Sequence, residues 1–192
     1  MRIGRACAAL LMSPAWLVGC HASEGDRMRA NMQEMKAEST ANKLFQRGRA
    51  FAATGDSTRA EQYFAAAVTM GGDERVILPM LLTVCIQDGR YRVAIEYAST
   101  YLQKHPMDVS VRMLLGTLYS AIGDAPAARR ELARVLEARP GDPDAHYALA
   151  VVLRDDDKDL VAADQHFREY LRLSPNGAHA EEAQASLLKS VP

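Results

Sequence analysis

Histidine and cysteine are the side chains in this sequence best suited to bind metals or act as nucleophiles. They are spread along the chain: His21, His105, His146, His166, His179, Cys7, Cys20 and Cys85. No two histidines stand four residues apart in a helical metal pattern, and no two cysteines have metal-binding spacing. We interpret His146 and His166 as surface or interface residues. GxSxG, HExxH and phosphate-loop motifs are also missing, so we predict no catalytic residues, no metal, no cofactor and no enzymatic activity.

An acidic run, Asp155-Asp156-Asp157-Lys158-Asp159, raises the question of calcium, since carboxylates are the ligands that Ca²⁺ prefers. An EF-hand loop needs alternating ligands, a central Gly and a distal Glu, and this run has none of that spacing. We interpret it as a solvated turn whose aspartates cap a helix.

The first twenty residues suggest lipid chemistry. Arg2 and Arg5 precede a short apolar stretch that ends in Leu17-Val18-Gly19-Cys20. A positive start and a short apolar stretch are typical of a secretory signal peptide. The final four residues resemble the lipobox of bacterial lipoproteins, which implies a signal peptide over 1–19 and lipidation of Cys20, with palmitate among the acyl groups. The alternative is an ordinary signal peptide with an incidental cysteine.

In lipoproteins of enteric-type bacteria, an Asp after the lipidated Cys favours the inner membrane, and here His21 follows. The resemblance therefore implies the outer membrane, facing the periplasm. Residues 20–40 are predicted to be the lipidated Cys and a tether or short helix. Met28, Met32 and Met35 share one face of that helix and either dock on the following domain or bind a partner.

The net charge and Cys85 give no sign of nucleic-acid binding or of thiol chemistry. The formal net charge is −1, which gives no electrostatic footprint for nucleic acid. Cys85 falls in an apolar stretch, so we predict an inert buried thiol.

A step of 34 residues repeats along the rest of the chain. It separates Ala60, Ala94 and Ala128, and also Gly55, Gly89 and Gly123. A fixed period of this length is typical of stacked pairs of helices. We therefore predict an all-α solenoid of about four helix pairs.

From Ala41 onward the chain resembles the tetratricopeptide repeat, in which helix A and helix B of each unit pack through small residues. The units are predicted at 41–74, 75–108, 109–142 and 143–177, followed by a capping helix and tail over 178–192. Gly48 with Ala60, and Gly116 with Ala128, stand at the small positions. Leu82 replaces the small residue of unit 2, so its helices are expected to lie farther apart.

The resemblance also implies which residues form the inner surface, since helix A lines the concave side in this family. We call these residues, which form the predicted partner-binding groove, the concave face. They are Phe45, Arg49, Val76, Met80, Thr83, Ile86, Met113, Leu114, Thr117, Tyr147, Val151 and Arg154.

Some relatives grip acidic chaperone tails with a Lys- and Asn-rich clamp. The matching places here hold Phe45, Arg49, Met80, Ser110 and Leu114, so that clamp is missing. An apolar groove instead suits an amphipathic or extended segment, and the alternative is that these residues pack within the superhelix.

Anchor and repeats together resemble the pilotin-type lipoproteins of type IV and Tad pilus systems, which help a secretin to assemble. The expected function is an envelope scaffold that binds a protein partner, with the membrane as its anchoring site. The alternatives are an outer-membrane assembly or division lipoprotein, and an accessory subunit of a peptidoglycan-active enzyme.

Overall fold

Nine helices, with no strands, form the part of the chain described over 40–189. The structure is a computed structural model, and it describes residues 25, 28, 29 and 40–189. In order the helices are α1 (Ala41–Ala53), α2 (Ser57–Thr69), α3 (Glu74–Gln87), α4 (Tyr91–Lys104), α5 (Val109–Ala121), α6 (Ala125–Ala138), α7 (Pro143–Asp155), α8 (Leu160–Leu173) and α9 (Ala180–Ala185). Among the three methionines predicted to share one helix face, Met28 is helical and exposed. Cys20, Met32, Met35 and the predicted signal peptide lie outside the described residues.

Gly and Asp set the turn between the two helices of units 1 and 3. Gly55 and Gly123 take φ values of 78° and 75°, a left-handed conformation that suits glycine. Each next residue is an Asp whose carboxylate accepts from the first turn of helix B: Asp56 from the Arg59 N–H and Asp124 from the Ala127 N–H. These bonds satisfy donors that a helix start leaves unpaired.

The helices pair in chain order, α1 with α2 through α7 with α8, and each pair packs on the next. The described residues 40–189 belong to one compact unit. The predicted all-α solenoid of four helix pairs is therefore confirmed. Helices A of neighbouring units also approach each other, α1 with α3 and α5 with α7, which places them along one side of the array.

Small residues allow close packing within units 1 and 3. A Cβ added to Gly48 would lie 2.6 Å from the Phe64 ring, and one added to Gly116 would lie 2.9 Å from the Leu132 side chain. Phe64 and Leu132 are fully buried. The space that glycine leaves on helix A is thus filled by a large side chain of helix B.

Unit 2 is packed differently. Leu82 is 2% exposed, and its helices α3 and α4 lie less closely together than the two helices of any other unit. The expected wider spacing of unit 2 is confirmed. In helix B of unit 2, the small Ala98 precedes the large Tyr101, whereas in unit 1 the large Phe64 precedes the small Ala67. All four side chains are buried, so the exchange of sizes keeps the core filled.

The turn of unit 4 has one residue more than those of the other units. It spans residues 156–159, and Lys158 absorbs the extra residue with a φ of 58°. The Asp159 N–H donates to the Leu153 carbonyl, and the Asp159 carboxylate caps α8 at the Ala162 N–H. The acidic run is a turn with a capping Asp, as predicted.

The capping helix α9 is short and ends at Ala185, well inside the segment 178–192 predicted to hold the capping helix and tail. The Leu188 N–H donates to the Asp164 carboxylate of α8 at 2.8 Å instead of to a carbonyl of its own helix. The Arg168 guanidinium holds the same carboxylate at 2.6 Å. A buried acid of the preceding unit thus ties the segment that follows α9 to the array.

Candidate functional site

Every residue of the predicted concave face is at least partly accessible, and helix A of each unit supplies its share. The contributions are Phe45 and Arg49 from α1, Val76, Met80, Thr83 and Ile86 from α3, Met113, Leu114 and Thr117 from α5, and Tyr147, Val151 and Arg154 from α7.

Helix α3 presents the most exposed apolar surface of the concave face. Val76 and Met80 are 54% and 43% exposed, although the opposite side of α3 is buried. Thr83 lies on the same exposed side, and its hydroxyl donates to the Pro79 carbonyl at 2.8 Å. Because that hydroxyl is satisfied inside the helix, the surface from Val76 to Thr83 needs no polar partner.

The half-buried members form the base of the face. Phe45, Ile86 and Leu114 pack against the first core cluster. Met113, Tyr147 and Val151 pack against the second. These side chains therefore contribute to folding as well as to the surface.

Two depressions lie between successive helices A. Phe45 and Val76 line one of about 310 Å³ between α1 and α3. Thr117, Tyr147 and Val151 line another of about 190 Å³ between α5 and α7. Concave apolar spaces of this kind accept individual side chains of a bound segment.

The C-terminal segment covers the α7 end of the face. The Tyr147 hydroxyl donates to the Glu182 carboxylate at 2.6 Å, and its ring stacks on His179 with centroids 3.9 Å apart. Burial and the bond to Glu182 raise the pKa of Tyr147 to about 12. Arg154 binds Asp155, Glu182 and the Ser186 hydroxyl. Tyr147 and Arg154 therefore contact the chain's own cap, which the sequence pattern did not predict.

Arg49 is the remaining cation of the face. Its side chain is exposed, and its guanidinium donates to the Gln46 amide oxygen at 3.4 Å. The face is thus apolar along α3 and α5, with one cation at the α1 end and a neutralised cation at the α7 end.

Reactive chemistry is sparse in the part of the chain that the structure describes. Its residues contain no group of three or more His, Cys, Asp or Glu side chains able to hold a metal ion. Cys85 is buried, as predicted, and burial raises the pKa of its thiol to about 11, which disfavours the reactive thiolate. In the acidic turn Asp155 pairs with Arg154, and Asp157 pairs with Arg129. The spacing of the histidines in the sequence did not predict one contact. His146 of α7 and His166 of α8 lie against each other.

Within 25, 28, 29 and 40–189, no helix combines the length and the apolar character that crossing a lipid bilayer requires.

Comparison with known proteins supports the same architecture. Residues 86–152 match the model of the tetratricopeptide repeat. A tetratricopeptide repeat protein from Parabacteroides merdae ATCC 43184 is 19% identical, with a TM-score of 0.67 over 76% of this chain and 58% of that one. This chain thus spans little more than half of that relative.

Two further structures are similar over most of their length. YrrB, described as a TPR protein with an unusual peptide-binding site, is 19% identical with a TM-score of 0.67, over 83% of this chain and 88% of that one. MamA from Desulfovibrio magneticus RS-1, residues 41 to the end, is 18% identical with a TM-score of 0.65, over 76% and 84%. Comparison with curated protein sequences found no match. The fold is that of a tetratricopeptide solenoid.

Proposed function

We propose that this protein is a lipid-anchored scaffold of the bacterial envelope that binds a protein partner on its concave face. The observation that carries the proposal is the exposed apolar surface of α3, where Val76 and Met80 remain 54% and 43% accessible on a helix whose opposite side is buried. Burying these side chains against a partner would remove apolar surface from water, which favours a contact here.

The partner that fits this face is an apolar segment, extended or helical, with small side chains entering the two depressions. YrrB, whose description names a peptide-binding site, supports a peptide as the class of ligand by analogy of fold. Carboxylate-tail recognition of the chaperone type is not proposed, because Met80 and Leu114 stand at clamp positions.

Site-specific photo-crosslinking in living cells tests the contact. A photoreactive amino acid replaces Met80 in one variant and Gln103 in the other. Gln103 is an exposed residue of helix B in the same unit. We expect a discrete crosslinked product from position 80 and none from position 103. Equal products from both positions would contradict a partner on the concave face, and the identity of the crosslinked protein distinguishes the envelope pathways.

The anchor is proposed from the tetrapeptide that ends at Cys20 and from the apolar stretch before it. Several acyl chains hold a protein stably on a membrane, whereas one gives marginal binding. Cys20→Ala should move the protein from the membrane fraction to the soluble fraction, while Cys85→Ala should not. A Cys20→Ala protein that still sediments with membranes would show that the anchor lies elsewhere.

A pilotin-like role in secretin assembly is the more specific form of the proposal, and the combination of anchor and repeat array supports it. Deletion of the gene should then reduce secretin multimers and pili. Unchanged multimers would exclude the pilotin role. The broader proposal of a partner-binding scaffold would then be tested by the crosslinking experiment alone.

A further inference from the structure

Two histidines far apart in the sequence face each other in unit 4. His146 lies on α7 and His166 on α8, and their Nδ1 atoms are 2.9 Å apart. The ring centroids are 5.2 Å apart with planes inclined by 36°. Both rings are half-buried, so solvent and ions still reach the pair.

Hydrogen-bond partners assign the tautomers. The Nε2 of His146 lies 3.0 Å from the Pro140 carbonyl oxygen, which can only accept, so this nitrogen carries a proton. In the neutral ring the Nδ1 of His146 is then an acceptor, and His166 donates its Nδ1 proton to it. The space between the two nitrogens therefore holds a single shared proton.

We propose that this pair is a chelating site for a divalent transition metal, which takes the place of the shared proton. Imidazole nitrogen suits Cu²⁺, Ni²⁺ and Zn²⁺. A histidine that binds a metal through one nitrogen usually donates its other N–H to a carbonyl or carboxylate, which fixes the ring. The bond from His146 to Pro140 already has that form.

The separation of the nitrogens lies within chelating reach. A metal about 2.05 Å from each nitrogen holds them about 2.9 Å apart at a right angle and about 3.3 Å apart at the tetrahedral angle. The observed separation of 2.9 Å is close to both values. A turn of each ring about χ2, a broad torsion for imidazole, aims the two lone pairs at a common metal.

A metal binds the neutral ring of histidine, so metal binding weakens as the pH falls. Burial lowers the pKa of His166, and the neighbouring His146 lowers it further. Glu169 opposes this shift, and it is itself bound to Arg172.

A metal here would link the two helices of unit 4. The protein supplies only two ligands, because the described residues hold no group of three or more suitable side chains. Water fills the remaining positions, so the ion exchanges readily and stabilises the folded state by mass action. This site is independent of the concave face and of the anchor.

The experiment uses the full chain with any affinity tag removed, at pH 7.5, titrated with CuCl₂, NiCl₂ or ZnCl₂. The unfolding midpoint should rise with metal, in the order Cu²⁺, then Ni²⁺, then Zn²⁺. His166→Gln and His146→Gln should each abolish the rise. His105→Gln is the matched control, since His105 contacts Tyr101 and lies outside the pair, and it should keep the full rise.

Proton NMR of the unmodified chain provides a test that does not depend on any variant folding. Substoichiometric Cu²⁺ should broaden the imidazole signals of His146 and His166 before those of the other histidines. The proposal fails if the midpoint does not respond to metal, if His105→Gln loses the response equally, or if other histidines broaden first.

Discussion

Met80→Glu separates partner binding from folding, and the structure gives the expected size of both effects. Met80 is 43% exposed on α3, and a charged side chain at this place can reach water. Met and Glu have similar helix propensity. We therefore expect the free energy of unfolding to change by about 0.5 kcal/mol or less.

The effect on binding should be larger. Burying a whole Met side chain is worth about 1.5–3 kcal/mol, so covering the 43% that is exposed contributes about 0.6–1.3 kcal/mol. A carboxylate forced under the partner adds a desolvation cost to that loss. Together these effects exceed about 1.4 kcal/mol, which is a tenfold loss of affinity.

The assay is urea unfolding followed by circular dichroism, beside quantified co-purification of the crosslinked partner from membranes. Gln103→Glu is the matched control, because it adds the same charge to an exposed helix B site of the same unit. Leu114→Glu is less informative, since Leu114 packs against the first core cluster. If Met80→Glu unfolds the protein, Met80 belongs to the core. If it folds and still binds as well as Gln103→Glu, the concave face is not the contact.

Two further substitutions test the packing of the array. Leu82→Ala restores the small residue typical of the repeat, yet it should cost about 2–5 kcal/mol in urea unfolding, because Leu82 is 2% exposed and belongs to the first core cluster. A more stable variant would show that Leu82 does not fill core space. Asp164→Ala should cost about 1.5–3 kcal/mol and expose the C-terminus to limited proteolysis, since it removes the charged acceptor of the Leu188 N–H. Arg168 holds the pKa of Asp164 below its ordinary value of 3.8, so this stabilisation is present above pH 3.8 and is lost as the pH falls through the lower folded value. An Asp164→Ala protein with the acid unfolding profile and C-terminal protection of the parent chain would refute this role.

Local patterns made most of the architecture predictable. The 34-residue step, the Gly-Asp turns and the small residues at Gly48 and Gly116 act over a few residues or one helix pair, so the sequence shows them directly. The departure at Leu82 predicted wider spacing in unit 2 for the same reason, since a larger side chain between two helices must push them apart.

Most of the site depended on which side of each helix faces outward. Periodicity placed Val76 and Met80 on helix A, but only the packed array shows that α3 buries one side and leaves these two accessible. An evenly apolar helix carries no sequence signal for that choice, because burial depends on the helices that surround it.

The sequence by itself determined the repeat, the turn chemistry and the position of each helix A, because these follow from interactions between near neighbours in the chain. Only the tertiary structure decided that Asp164 binds the Leu188 N–H beyond the capping helix and that Glu182 covers Tyr147. It alone brought together His146 and His166, which stand 20 residues apart. Contacts of this kind depend on how two helices rotate against each other, and a one-dimensional period does not specify that rotation.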